Sequence, residues 1–158
     1  MADSITLQRD EGKAIWAGGH LLWIKVSGQD SGGAYCLIEL LSSPGYSPPL
    51  HSHANEDEAI YVLDGDFSMT IGGRTFSAST GSFVFIPKGM AHGYKVEGLK
   101  MARILELFSP AGFEKFFEEL GEPAQELNLP PAAPIDMDKV AALARKYEMT
   151  ILAPPSAH

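Results

Sequence analysis

Histidines carry most of the chemical information in this chain. There are five: His20, His51, His53, His92 and His158. His51 and His53 are separated by one residue. Side chains alternate faces along a strand, so on a strand both imidazoles point the same way. Two imidazoles a few ångströms apart on one face are costly unless something bridges them, and a metal ion does so. Glu58 follows after the short Ala54-Asn55-Glu56-Asp57 segment, a loop able to return the chain so that a carboxylate faces the same pocket. His92 comes after Pro87-Lys88-Gly89, at the start of another extended segment. Taken singly, each signal is weak. An isolated His-x-His is more often two unrelated histidines than a site. Glu58 lies in an acidic run, Glu56-Asp57-Glu58, which alone reads as a solvated face. A lone His92 reads as structural. The weight lies in the spacing of the whole set.

Those residues need a scaffold. From about residue 4 to 108 the sequence is rich in glycine and broken into short segments enriched in Val, Ile, Phe and Tyr. Strands are predicted at 20–26, 34–41, 58–63, 66–71, 74–77, 82–86, 92–97 and 101–108. Gly72-Gly73 reads as a tight hairpin turn. Many short strands at regular spacing predict a mainly β sandwich or barrel. After Phe108 the texture changes. Ser109 is predicted to cap a helix with Pro110 at its first position. Phe113, Phe116, Phe117 and Leu120 follow at helical spacing, and Gly121 can end the helix. That stripe favours core packing over a ligand lid or a partner groove. Prolines 123, 130, 131 and 134 make residues 122–135 an extended connector. Asp136 is predicted to cap a second helix with an apolar face of Val140, Leu143, Ala144 and Tyr147, followed by a short apolar segment and a Pro-rich tail. No internal repeat is visible.

Composition narrows the function. The chain has 158 residues, one domain's worth, with a formal net charge of -8. Such an acidic chain repels phosphate backbones, so no nucleic-acid partner is expected. No apolar run approaches the roughly 20 residues that span a bilayer, so no membrane is expected either. The N-terminus lacks the apolar stretch of a signal peptide. The single cysteine, Cys36, excludes an intrachain disulfide. A reducing cytoplasm fits these features.

The full spacing carries a resemblance. Gly45, five residues, His51, one, His53, four, Glu58, six, Gly65 forms one block. Gly81, five residues, Pro87, one, Gly89, two, His92 forms another. These resemble the two motifs of the cupin superfamily. The second departs at its last position, where the family pattern often has Asn and this chain has Val96. The resemblance implies a single jelly-roll β-barrel over residues 1–108, with a short C-terminal helical extension, residues 109–158, packed on it. It implies that His51, His53, Glu58 and His92 hold one divalent metal with one or two coordination positions open. No thiolate is in that set, which excludes a closed cysteine-type zinc site. Fe, Mn, Co, Ni, Cu and Zn all suit these ligands.

If Glu58 points inward, strand parity turns Ile60 and Val62 inward too, and Tyr94 and Val96 share a face with His92. Phe83 and Phe85 share one face of their strand, Val84 and Ile86 the other, and either face could be inside. The expected pocket is largely apolar, suited to a hydrophobic or aromatic substrate that offers oxygen atoms to the metal. Tyr94 is the candidate for a polar contact. Glu39 and Glu106 are assigned no role. The block HSHANEDEAIYVLDGDF, the SPAGFEKFFEEL segment and the Pro-rich tail resemble single-domain bacterial cupins related to quercetin 2,3-dioxygenase. That closer likeness implies an oxygenase. A flavonol or similar enol binds through its 3-hydroxyl oxygen, Glu58 accepts that proton, dioxygen reacts with the enolate and the ring is cleaved. Two other readings stay open: a non-oxidative metal enzyme (isomerase, decarboxylase or polyketide cyclase), and a small-molecule-binding cupin without turnover. The resemblance also suggests a homodimer, since open sheet edges need cover.

Overall fold

The computed structural model describes residues 3–153; the end of the Pro-rich tail, with His158, lies outside them. In chain order the elements are β1 (Lys13–Ala17), β2 (His20–Val26), β3 (Cys36–Ser42), β4 (Leu50–His53), β5 (Asp57–Asp64), β6 (Asp66–Ile71), β7 (Arg74–Ser79), β8 (Phe83–Ile86), β9 (His92–Glu97), β10 (Ala102–Ser109), α1 (Glu114–Leu120), β11 (Glu122–Pro123), α2 (Met137–Lys146) and β12 (Met149–Ala153). They form two antiparallel sheets, ordered β11-β1-β2-β3-β10-β5-β8 and β12-β4-β9-β6-β7. The result is the expected mainly β jelly roll with two short helices toward its C-terminal end.

Alternation along each strand makes the core. Strand β10 buries every second residue, Ala102, Ile104, Glu106 and Phe108. Strand β5 does the same with Glu58, Ile60 and Val62. Inward residues of both sheets, among them Leu22, Ile38, Ile60, Val62, Phe67 and Met69, form one packed cluster. Each such side chain stabilises the fold by roughly 1.5–3 kcal/mol when taken fully out of water. The Gly72-Gly73 turn is a two-residue hairpin: Ile71 pairs with Arg74, and both glycines have positive φ, 56° and 79°. That geometry matches the right-handed twist of the flanking strands. Gly65 is needed where β5 meets β6. A Cβ there would sit 2.7 Å from the Ala102 Cβ.

Several expectations need correction. Strands β1 and β12 were not expected as strands; β1 joins the larger sheet beside β2 and β12 ends the smaller sheet beside β4. Ser109 does not cap a helix. It is the last residue of β10, paired with Asp57, and α1 begins only at Glu114. The pairing of β10 with β5 outcompetes the local capping signal. The Glu114 carboxylate then accepts hydrogen bonds from the Gly28 and Gly112 amides, each 2.7 Å. Gly121 does end α1, but in an extended conformation (φ -105°) rather than a left-handed one. Its lack of a side chain serves close packing, because a Cβ would approach the Trp16 carbonyl oxygen to 2.2 Å. Asp136 caps α2 as expected, accepting from the Lys139 amide at 3.0 Å.

The tail is also more than helical. Residues 122 and 123 pair with β1, and the connector beyond lays Ala124 and Leu129 over a second apolar cluster, Leu21, Trp23 and Leu41, on the outer face of the larger sheet. The Trp16 indole N–H donates to the Asn128 carbonyl at 2.8 Å. Strand β12 pairs with β4, matching Met149 to His53 and Ile151 to His51. The C-terminal segment thus covers the strand that carries the histidine pair. No helix among the described residues is long and apolar enough to cross a membrane.

Candidate metal centre

Strand β4 presents His51 and His53 on one face, as parity requires. Strand β9 pairs with β4 so that His92 lies directly opposite His51. Glu58 enters from β5 in the other sheet. One ligand-type atom from each of the four residues lies within 4.8 Å of all the others. The Glu58 Oε2 is 2.7 Å from the His92 Nε2 and 3.4 Å from the His53 Nε2. Ring centroids of His51 are 4.4 Å from His92 and 5.1 Å from His53. The spacing of the sequence motif is therefore a real convergence in space.

Backbone carbonyls set the tautomers. The His51 Nδ1–H donates to the Pro49 carbonyl at 2.7 Å, and the His92 Nδ1–H donates to the Met90 carbonyl at 2.9 Å. Each bond leaves the Nε2 lone pair free, the arrangement that orients metal-binding histidines. The Glu58 Oε2 and His92 Nε2 are buried without a satisfying hydrogen bond among the described residues. Buried polar atoms rarely stay unpaired. A cation bound here would satisfy them, so the donor set fits a divalent metal.

Electrostatics agree at His51 and Glu58, while Glu58 favours the protonated form of His92, whose proton a bound cation would displace. Burial first, then the neighbouring His92 and His53, pushes the His51 imidazole down to about 4. Burial alone would raise the Glu58 carboxyl, but His53 and His92 outweigh it and hold it below the usual carboxylate range. His92 is depressed by burial and raised more strongly by Glu58. Neutral imidazoles and an ionised carboxylate are the forms that bind metal. The Glu56 Oε2 lies 3.8 Å from the His53 Nδ1, both atoms buried.

The cluster opens onto a cavity of about 400 Å³, within the size range of small-molecule sites. Its walls are largely apolar: Phe108 from β10, Phe113, Phe116, Phe117 and Leu120 from the α1 region, and Val140 from α2. The phenylalanine stripe therefore does two jobs. Phe113 and Phe116 belong to the core cluster and also face the cavity, with the Phe113 ring centroid 4.4 Å from that of His53.

Of the pocket residues expected from parity, Tyr94 lines the cavity. Ile60, Val62 and Val96 point inward but are not cavity walls. They are almost completely buried in the same packed cluster as Phe67 and Met69, which belong to the sheet facing Ile60 and Val62 and to the strand beside Val96. Val96, at the departing motif position, opens no room in the pocket. Val84 and Ile86 take the inner face of β8, leaving Phe83 and Phe85 64% and 55% exposed.

Four polar wall residues were missed: Glu106, His20, Tyr46 and Ser47. Glu106 shares the inward parity of Ile104 and Phe108, a signal present in ARILELF but not separable from outward placement without the register. Glu39, by contrast, lies on the outer face, 2.6 Å from an Arg103 guanidinium nitrogen and 3.4 Å from the Lys25 ammonium.

A two-sheet antiparallel barrel with a histidine-rich cluster at the wall of an internal cavity defines a jelly-roll protein with a candidate metal site. The sequence pattern of the cupin domain matches residues 40–108, and the barrel built around them is a cupin fold. Quercetin 2,3-dioxygenase of Bacillus subtilis (strain 168) is 25% identical over 127 residues, 80% of this chain and 37% of that enzyme. The chain thus spans little more than a third of that relative's length. Among solved structures, KdgF from Halomonas sp. superposes with a TM-score of 0.62 at 18% identity, covering 72% of this chain and 99% of that one. The polyketide cyclase RemF from Streptomyces resistomycificus superposes at 0.59 with 22% identity, covering 89% and 99%. At these identities the structural likenesses speak to fold.

Proposed function

We propose that this protein is a metal-dependent enzyme acting on a small, largely apolar enolic substrate, and that its reaction is dioxygenation. One observation carries the reading: three imidazoles and a carboxylate converge within 4.8 Å at the wall of a cavity otherwise lined mainly by phenylalanine and aliphatic side chains. The distant likeness to quercetin 2,3-dioxygenase supports oxygen chemistry. His51, His53, Glu58 and His92 would hold the metal, which would supply Lewis acidity toward a substrate oxygen.

The chain's own residues account for the rest. The Pro49 and Met90 carbonyls fix two imidazoles with Nε2 turned to the site. Phe108, Phe113 and Phe116 seat a flat ring and exclude water from it. The ionised Glu58 accepts the enol proton, giving the electron-rich enolate that dioxygen, the oxidant, attacks, and both oxygen atoms enter the ring-opened product. The reading includes a homodimer, on the ground that β8 ends the larger sheet with Phe83 and Phe85 exposed; sedimentation tests it.

Oxygen uptake tests the enzyme reading directly. Protein freed of metal and reloaded separately with Fe, Mn, Co, Ni, Cu and Zn is offered flavonols and simple enols. Uptake that needs a particular metal and disappears in His51→Ala is the expected result. In Glu58→Gln loaded with a full complement of metal, turnover should fall by roughly 10²–10⁴-fold, the usual worth of a general base. Unchanged turnover would remove Glu58 from that role. No uptake with any metal, despite stoichiometric loading, would move the reading to Lewis-acid chemistry without oxygen.

A further inference from the structure

The cavity has a second polar wall, which the metal cluster does not use. Strand register fixes its place. Phe108 of β10 pairs with Glu58 of β5, and Glu106 pairs with Ile60. Glu106 is therefore the diagonal neighbour of Glu58 on the same inner face. It is only 5% exposed, it lines the cavity, and no described residue gives it a hydrogen bond. Burial and then the neighbouring Glu58 charge push the Glu106 carboxyl well above the usual carboxylate range, and Tyr46 and Tyr94 line the same cavity. His20 completes the wall, its Nδ1 2.9 Å from the Ser42 hydroxyl and its ring centroid 3.9 Å from that of Tyr46.

A carboxyl held in an apolar barrel without a bonding partner has capacity that a ligand can satisfy. The other buried carboxyls have different surroundings. Glu58 belongs to the histidine cluster, Glu56 lies behind His53, Glu39 is paired with Arg103 outside, and Glu114 ties two backbone amides. Of the two glutamates that line the cavity, Glu106 is the one outside the histidine cluster.

We propose that Glu106, flanked by Tyr46 and Tyr94, is a specificity-determining residue that accepts a hydrogen bond from a second hydroxyl of the substrate. The substrate class is then a flat aromatic with two polar groups: an enol oxygen for the metal cluster and a hydroxyl donor for Glu106. This deepens the proposed function and rests on its reading that the cluster holds a metal and the cavity an enolic aromatic. A site that bonds a buried hydroxyl discriminates strongly against the analogue lacking it.

Probes with and without the second hydroxyl separate the two contacts: 3-hydroxyflavone, with the enol alone, and 3,7-dihydroxyflavone, which adds a hydroxyl on the fused ring. Binding is measured by fluorescence titration on zinc-loaded protein under argon, since zinc has no redox chemistry. The wild type should prefer the dihydroxy probe by roughly tenfold or more. Glu106→Met should abolish that preference while leaving affinity for 3-hydroxyflavone and zinc stoichiometry unchanged, and Glu106→Gln, which keeps an acceptor oxygen, should restore part of it. Because Met relieves an unpartnered buried carboxyl, its melting temperature should equal or exceed the wild type's, which a carboxyl that holds the fold together would not allow. An unchanged preference in both variants, or an equal loss of affinity for both probes, would overturn the role of Glu106 and leave the proposed function standing. If zinc-loaded wild type binds neither flavone, the enolic ligand itself is wrong, and both fall.

Discussion

Acid should destabilise this protein through a histidine that takes no part in the metal cluster. His20 opens β2 and is buried in the barrel, its ring against Tyr46 and its Nδ1 on the Ser42 hydroxyl. Burial drives its pKa from 6.5 down to about 4, only partly countered by a backbone hydrogen bond at Leu41. The folded state therefore resists protonation while the unfolded chain accepts it. Stability from this group is complete above the unfolded value and is lost as pH falls from 6.5 towards 4. Between about pH 7.5 and about pH 4.5 the loss from this one ring comes to roughly 2–3 kcal/mol. His51 is shifted the same way, so the wild-type profile alone cannot isolate His20. His20→Asn can, because it removes the titrating ring and leaves the other groups in place. Urea unfolding of metal-free wild type and variant, followed by the fluorescence of the buried Trp23, gives both stabilities at each pH. The lost ring packing offsets the variant by a constant. The gap between the two proteins should therefore shrink, or reverse, by roughly 2–3 kcal/mol on going to the lower pH. Parallel profiles would refute the assignment of a neutral, acid-resistant His20.

Two further outcomes follow from groups outside the cavity. Burial, reinforced by the nearby Glu114, pushes the Cys36 thiol up to about 12, so little thiolate exists at neutral pH. A disulfide reagent monitored by absorbance should label Cys36 only slowly in the native protein and at once after denaturation; rapid native labelling would contradict the burial. Glu114→Ala removes the acceptor of the Gly28 and Gly112 amides. It should cost about 3 kcal/mol, read by urea unfolding, because two partly buried charge-assisted bonds are lost together.

The sequence was most legible where chemistry and geometry constrain the same residues. His51 and His53 point together because a strand has a period of two, and the site they form with Glu58 and His92 follows from the motif spacing. Gly72-Gly73 was legible because few dipeptides fit so tight a hairpin. Where two local preferences compete, only tertiary pairing decides. Ser109-Pro110 has the chemistry of a helix start, yet Ser109 pairs with Asp57 and stays in β10. Phe83 and Phe85 are as apolar as Val84 and Ile86, so hydrophobicity could not choose the inner face of β8. Ile60, Val62 and Val96 were given the right direction but the wrong depth. Parity fixes which way a side chain points, and the opposite sheet fixes whether space remains in front of it. Glu106 was overlooked for the same reason: a carboxylate in an apolar strand reads as outward until its register with Glu58 is known.

The C-terminal segment is where chain order and function diverge most. A division at residue 108 separates the strands that carry the four candidate ligands from everything after them, yet nine of the 24 residues lining the cavity come later. Phe113 packs on the His53 ring, and Phe116, Phe117 and Leu120 continue that wall. Strand β12 pairs with β4 at His51 and His53, so the strand bearing both imidazoles is held on two sides rather than one. Backbone freedom in β4 would spread the positions of both Nε2 atoms, and metal geometry tolerates little spread. The barrel thus supplies the reactive end of the cavity, while the tail supplies both the shape of the space and part of the rigidity of the ligands. Substitutions along α1 and α2 should consequently alter which substrates fit, whereas loss of β12 should weaken metal binding itself. Those two effects are separable by comparing metal stoichiometry with ligand preference in the same variant.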